Sequence, residues 1–222
     1  MSARGETADL FGEGAQAAAE YETLAEGALL LRRFVGDEDA ALMASLHTII
    51  TPAPLRQMLT RGGFRMSVAM SNCGDTGWVS DRRGYRYDAI DPQTGRPWPA
   101  MPAAFTALAA RAAARAGFAR FTPDACLINS YAPGARMAPH QDKDERDFTQ
   151  PIVSVSLGLP AVFLFGGLQR RDRLRRCQLA HGDVVVWGGP ARLAFHGVSP
   201  LADGEHPLLG RQRINLTFRK AL

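Results

Sequence analysis

Apolar positions follow one period in the first half of the chain and another in the second. Over residues 37–50, Leu42, Leu46 and Ile49 or Ile50 recur at helical spacing. Residues 103–116 are an alanine-rich run opened by Pro102 and closed by Gly117, the placement of proline and glycine that suits the two ends of a helix. From Ala125 onward the period falls to two. It predicts strands over 125–131, 151–158, 161–165, 176–179, 183–187, 192–196 and 213–219, with Gly, Pro and Asp between them. Many short strands at this spacing make a sandwich or barrel. The expected class is therefore α+β, with a mostly helical first half buttressing an antiparallel barrel or jelly roll. Between the halves, Arg61 to Tyr87 fits neither period. It is rich in Gly, Arg and aromatic residues and reads as a substrate lid at the barrel mouth, over about 61–90.

A chain of 222 residues, 46% hydrophobic and without an internal repeat, suffices for one core. The expected organisation is a weakly ordered leader, 1–26, and one domain, 27–222, with its barrel core over about 125–220. The longest apolar runs, 152–159 and 184–187, fall short of the ~20 apolar residues that a spanning helix needs. With no apolar stretch behind a basic start, a cytoplasmic monomer without a membrane role is expected. Cys73, Cys126 and Cys177 are widely spaced and form no CxxC, which speaks against a disulfide framework or a zinc knuckle. Net charge is only +4, yet all but two of the 26 basic residues, Lys143 and Lys220, are arginines. Arginine suits phosphate and stacked bases, although a compositional drift towards Arg and Ala accounts for the excess equally well.

His140-Gln-Asp142 and the distant His196 supply two imidazoles and a carboxylate, the facial set that leaves positions open on non-haem iron(II). On an extended strand, residues 140 and 142 would point the same way. An isolated HxD is weak; the final predicted strand adds weight. Arg213-Ile-Asn215-Leu-Thr217-Phe-Arg219 alternates polar and apolar without exception, and Leu127, Asn129 and Tyr131 share one face of an earlier strand. Two arginines turned into a barrel would be too costly to bury unless paired with anions. A small dianion would satisfy them.

These residues resemble the AlkB family of dioxygenases. The likeness rests on His140-x-Asp142, His196 and Arg213-x-Asn215-x-x-x-Arg219. It extends to Asn129-Ser-Tyr-Ala-Pro-Gly, Phe165-Gly-Gly, His181-Gly-Asp-Val-Val-Val-Trp-Gly-Gly, Met66-Ser-Val-Ala-Met-Ser-Asn-Cys-Gly and Asp91-Pro-Gln-Thr-Gly-Arg-Pro-Trp-Pro. It covers nearly everything after residue 28. The leader and the Ala138-Pro139 approach to His140 depart from the family pattern.

The resemblance implies a double-stranded β-helix jelly roll with a nucleotide-recognition lid, and dependence on iron(II), 2-oxoglutarate and O2. It implies oxidative dealkylation of N-alkylated bases in single- or double-stranded DNA, with RNA as a further substrate, releasing aldehyde, succinate and carbon dioxide. In this sequence His140, Asp142 and His196 would hold iron. Arg213 with Tyr131 would take the far carboxylate of 2-oxoglutarate, Arg219 and Asn129 would sit near its chelating end, and Asn215 would complete that pocket. Trp78 would stack on the base opposite His140, Tyr85 and Tyr87 would touch flanking phosphates, Asp144 would accept a hydrogen bond from the exocyclic nitrogen, and Arg170 would approach from the other side. Arg171, Arg173, Arg175 and Arg176 would add phosphate attraction. Two rivals share these residues: the same iron chemistry on tRNA, other RNA or a protein side chain, and an inert nucleic-acid-binding jelly roll.

Overall fold

The structure, a computed structural model, describes residues 20–222. In chain order the strands are β1 (Tyr21–Ala25), β2 (Ala28–Leu31), β3 (Arg56–Leu59), β4 (Arg65–Gly74), β5 (Gly77–Asp81), β6 (Gly84–Asp88), β7 (Ala125–Tyr131), β8 (Met137–His140), β9 (Ile152–Gly158), β10 (Ala161–Phe165), β11 (Arg175–Leu179), β12 (Val184–Trp187), β13 (His196–Val198) and β14 (Arg213–Arg219). Helix α1 (Asp39–Ile50) precedes β3, and α2 (Ala103–Arg115) precedes β7. One sheet runs β1-β2-β12-β9-β14-β7-β4-β3, a second runs β11-β10-β13-β8, and β5 and β6 form a separate hairpin. All the pairings between strands are antiparallel.

The alternation in β14 explains the layering. Ile214, Leu216 and Phe218 join Leu42, Leu46, Phe105 and Leu108 in the apolar layer that the helices form on the large sheet. Residues two apart share a face of a strand, so Arg213, Asn215, Thr217 and Arg219 must face the other way. That side is the interior of the roll, where Leu127, Tyr131, Phe163, Phe165 and Trp187 pack between the sheets. The polar face of the strand is thus the inner one.

Most predicted elements are present, and the differences fall mainly in the first half. The first half is not mostly helical: β1 to β6 precede residue 89. The expected lid splits, because β4 is a full member of the large sheet between β3 and β7, and only the β5–β6 hairpin stands apart. These strands are Gly- and Arg-rich or half-buried, so their sequence shows weak alternation, and pairing rather than propensity fixes them. The expected leader, 1–26, lies outside the described residues up to 19, whereas Tyr21–Ala25 is strand β1, paired with β2. Arg32 ties this edge down through Glu22 and Asp183, at 2.7 and 2.9 Å. The strand expected over 192–196 is instead a turn that leads into β13 at His196.

The hairpin is seated by a close approach. Asn72 brackets Trp78, its Nδ2 donating to the Trp78 carbonyl and its Oδ1 accepting the Trp78 N–H, both at 3.0 Å. Buried Trp98 donates to the Asp88 carbonyl at 2.8 Å. A Cβ on Gly77 would lie 2.5 Å from Trp98 Cε2 and 2.7 Å from Asn72 Cβ. Gly77→Ala is therefore expected to destabilise the protein by roughly 1–3 kcal/mol through overpacking. Thermal unfolding against the unsubstituted protein measures this; an unchanged midpoint would mean that the hairpin is not seated on Trp98.

Candidate active site

β8 ends at His140 and β13 begins at His196, and their pairing register places the two opposite one another. The rings lie 4.5 Å apart, centroid to centroid. His140 Nδ1 is 2.9 Å from the Ala138 carbonyl and His196 Nδ1 is 3.0 Å from the Ala194 carbonyl. A carbonyl only accepts, so each Nδ1 carries a proton, and in the neutral ring the lone pair is left on Nε2. Both Nε2 atoms face Asp142, at 3.5 Å from Oδ1 and 3.7 Å from Oδ2. One ligand atom from each of the three residues lies within 4.8 Å of the other two. Asp142 reaches this place from the loop after β8 rather than from the strand itself, which ends at His140.

The second half of the site lies along β14, flanked by β7 and β9. Register sets Arg213 against Tyr131, Asn215 against Asn129 and Thr217 against Leu127. Arg213 is 1% exposed, its Nη2 donates to Ser156 Oγ at 2.9 Å, and its guanidinium lies 5.0 Å from the Tyr131 ring centroid. Its Nε and Nη1 are buried and have no hydrogen-bond partner among the described residues. Burial pulls its pKa below the ordinary arginine value. A buried cation with two unused donors lining the same pocket as His140 and His196 calls for an anionic ligand. Asn215 is held by Ser154 Oγ and the Val155 carbonyl at 2.8 and 3.0 Å, and it receives Asn129 Nδ2 at 3.1 Å.

This donor set, with lone pairs for a divalent metal and a buried arginine for a carboxylate, has a counterpart across known proteins. Residues 27–219 match the 2OG-Fe(II) oxygenase superfamily. The chain belongs to this superfamily. Within it, the chain is 57% identical over 213 residues to the alpha-ketoglutarate-dependent dioxygenase AlkB of Escherichia coli, covering 96% of this chain and 97% of that one. It is 50% identical over 182 residues to an AlkB homologue of Caulobacter vibrioides, covering 82% and 81%. The solved structure of OsALKBH1 superposes with a TM-score of 0.79 at 29% identity, covering 90% of this chain and 99% of that one. The chain is thus an AlkB-family dioxygenase that uses iron(II), 2-oxoglutarate and O2, and the His140, Asp142 and His196 cluster fits the iron.

The electrostatics suit that use. Burial, then the neighbouring His140, lowers the His196 pKa to about 4, so it is neutral at physiological pH. Burial also works against protonated His140, but the Asp142 carboxylate outweighs it and lifts His140 above the usual histidine range. Asp142, which burial alone would push up, is held well below the carboxylate range, chiefly by Arg219. Arg219 donates to Asp142 Oδ2 through Nε and Nη2, at 2.9 and 2.5 Å.

On the open side, Trp78 and Tyr85 stack with centroids 5.5 Å apart and planes inclined by 19°, and Tyr85 is 51% exposed. Asp144 accepts from Trp78 Nε1 at 2.8 Å, so in this state its acceptor is turned to the aromatic platform. Tyr87 does not face outward as the phosphate contact required: its hydroxyl donates to buried Glu145 at 2.7 Å. Arg170 is exposed, 5.9 Å from the Phe195 ring centroid. Arg171 and Arg173 are exposed, but Arg175 belongs to the scaffold, bonding Glu22 and the carbonyls of Thr23 and Leu24.

Glu145, which as a sequence reads as one more acid of a solvated charge run, and Arg192, which carries no sequence signal, both reach the site. Arg192 is buried, donates to the Asp142 and Gln150 carbonyls at 2.9 and 3.0 Å, and pairs with Glu145 at 3.1 Å. An acid inside the charged run 142–147 and an arginine before Leu-Ala-Phe-His carry no motif. Only the fold brings them together.

Because His140 has a raised pKa and must lose its proton to offer Nε2 to a metal, divalent-metal affinity should fall with decreasing pH once His140 is protonated. The expected loss approaches about tenfold per pH unit. His196 adds a second proton only near pH 4. Manganese(II) titrations between pH 8 and pH 6 measure this; a flat profile would remove His140 from the metal set.

Proposed function

We propose that this dioxygenase removes alkyl groups from the ring nitrogens of nucleic-acid bases, as a cytoplasmic monomer formed by a single domain. In this reading His140, Asp142 and His196 hold the iron. Arg213, with Tyr131, takes the far carboxylate of 2-oxoglutarate, and Asn129, Asn215 and Arg219 line the rest of that subsite. With 2-oxoglutarate and O2, the bound metal supplies oxidation of a substrate C–H bond to C–OH, while 2-oxoglutarate becomes succinate and carbon dioxide. Hydroxylation of a carbon on nitrogen gives a hemiaminal, which collapses to an aldehyde and the unmodified base. No side chain need act as nucleophile; the residues orient the reactants and keep water out.

The observation that carries the choice of substrate is the accessible Trp78–Tyr85 stack beside the metal loop. A flat aromatic surface suits a base that has left its stack, because every base has a face to lay on it. The exposed Arg170, Arg171 and Arg173 suit the phosphates on either side. A peptide substrate would have less use for either feature.

Anaerobic loading with iron(II) and 2-oxoglutarate, followed by air and methylated DNA or RNA oligonucleotides, should give demethylated base, aldehyde and succinate by mass spectrometry. If 2-oxoglutarate is consumed but neither oligonucleotide loses its methyl group, the substrate is of another class. Trp78→Ala should lose roughly 1–3 kcal/mol of oligonucleotide binding, the scale of base stacking. Joint neutralisation of Arg171 and Arg173 should weaken all oligonucleotides alike and flatten the salt dependence.

Arg213→Ala tests the cosubstrate subsite. Losing a charge-assisted hydrogen bond, about 1.5–3 kcal/mol, should raise the 2-oxoglutarate requirement strongly at unchanged metal affinity. An unaltered 2-oxoglutarate titration would place that carboxylate elsewhere.

A further inference from the structure

The β5–β6 hairpin belongs to neither large sheet, yet it is bonded to the metal loop at two adjacent residues. Trp78 and Tyr87 are cross-strand partners in the hairpin. Trp78 donates its indole N–H to Asp144, and Tyr87 donates its hydroxyl to Glu145. The first bond is exposed. The second is closed off, since the Glu145 side chain is 2% exposed, and burial raises the Tyr87 pKa well above the ordinary phenol value.

Glu145 continues the chain of contacts inward. Its Oε2 receives Arg192 Nη2 at 3.1 Å, and its Oε1, which accepts from Tyr87, lies 3.4 Å from Arg219 Nε. Arg219 grips Asp142 Oδ2, and Arg192 grips the Asp142 backbone carbonyl. Arg192 also sits in the turn four residues before His196. One buried carboxylate therefore joins the hairpin, both arginines that fix Asp142, and the turn that delivers His196.

We propose that Glu145 is a positioning residue that ties the base-binding hairpin to the iron carboxylate, so that docking of the hairpin and setting of Asp142 are one event. A structural ion pair with Arg192 alone would not need Tyr87, and a contact with the base alone would not need a buried position. The consequence is a site that is set for oxidation when the hairpin is down. The inference rests on the metal role of His140, Asp142 and His196.

Hydrogen exchange of amides 77–88, measured without nucleic acid, tests it. Loading with manganese(II) and 2-oxoglutarate should slow hairpin exchange in the unsubstituted protein. In Tyr87→Phe, which removes a single oxygen, that metal-dependent slowing should disappear while manganese(II) still binds. Under turnover, the ratio of succinate formed to base repaired should rise in this variant, because oxidation no longer waits for a docked hairpin. Glu145→Gln keeps an acceptor for Tyr87 but loses the charge, leaving Arg219 to draw harder on Asp142. Manganese(II) affinity should drop by about 10- to 100-fold, the usual effect of losing a partner of a metal ligand.

Metal-dependent slowing in Tyr87→Phe equal to that of the unsubstituted protein would overturn the proposal. So would a Tyr87→Phe variant in which only the KM for oligonucleotide changes, since Tyr87 would then be a direct substrate contact. If His196→Ala binds manganese(II) as well as the unsubstituted protein does, the metal reading itself has failed, a result separable from the other two.

Discussion

Charge neutralisation in a place with almost no water is the constraint around which this molecule is built. Asp142, Glu145, Arg192 and Arg219 have side chains 9%, 2%, 3% and 7% exposed. Unpaired, each would be too costly to keep ionised. Together they cancel. The pairing fixes the metal loop on both its side-chain and its backbone atoms, so the carboxylate stands ready with its geometry set in advance. Arg213 is the exception: among the described residues it has Ser156 and the Tyr131 face but no acid. A fold that balances its other buried charges and leaves this one open specifies the sign of its ligand.

The strand β14 shows why the chemistry was easier to read than the architecture. Its alternation separates a face for the helices from a face for the site, and the period-two pattern over 213–219 survives intact in the structure. The pattern could not say which face was inside. The packing of the helices on Ile214, Leu216 and Phe218 does, and it leaves arginine and asparagine on the inner face. The pair His140 and His196 was legible as donors, but their meeting depends on the pairing of β8 with β13, and the three-residue β13 is too short to leave a periodic trace.

The first half departs from its sequence pattern for a different physical reason. β2 and β4 owe their conformation to long-range partners, β2 to β12 and β4 to β7. Local sequence carries little of that information. Tyr87 and Asp144 illustrate the same limit at single side chains. Both were assigned outward roles by resemblance, and both are engaged with other residues of the chain, Tyr87 with Glu145 and Asp144 with Trp78. A motif names the residue; its partners decide where its hydrogen bond goes.

The place of β14 in the large sheet also bears on synthesis. It lies between β7 and β9, both of which precede it in the chain, and it carries Arg213 and Arg219. During translation the two outer strands emerge with a gap between them, and their edges stay unpaired until residues 213–219 arrive. Unpaired strand edges are where chains associate wrongly. The nascent protein therefore passes through an interval of exposure that ends only with the strand that also completes the anion pocket, and a chain able to hold 2-oxoglutarate is by construction one whose sheet has already closed.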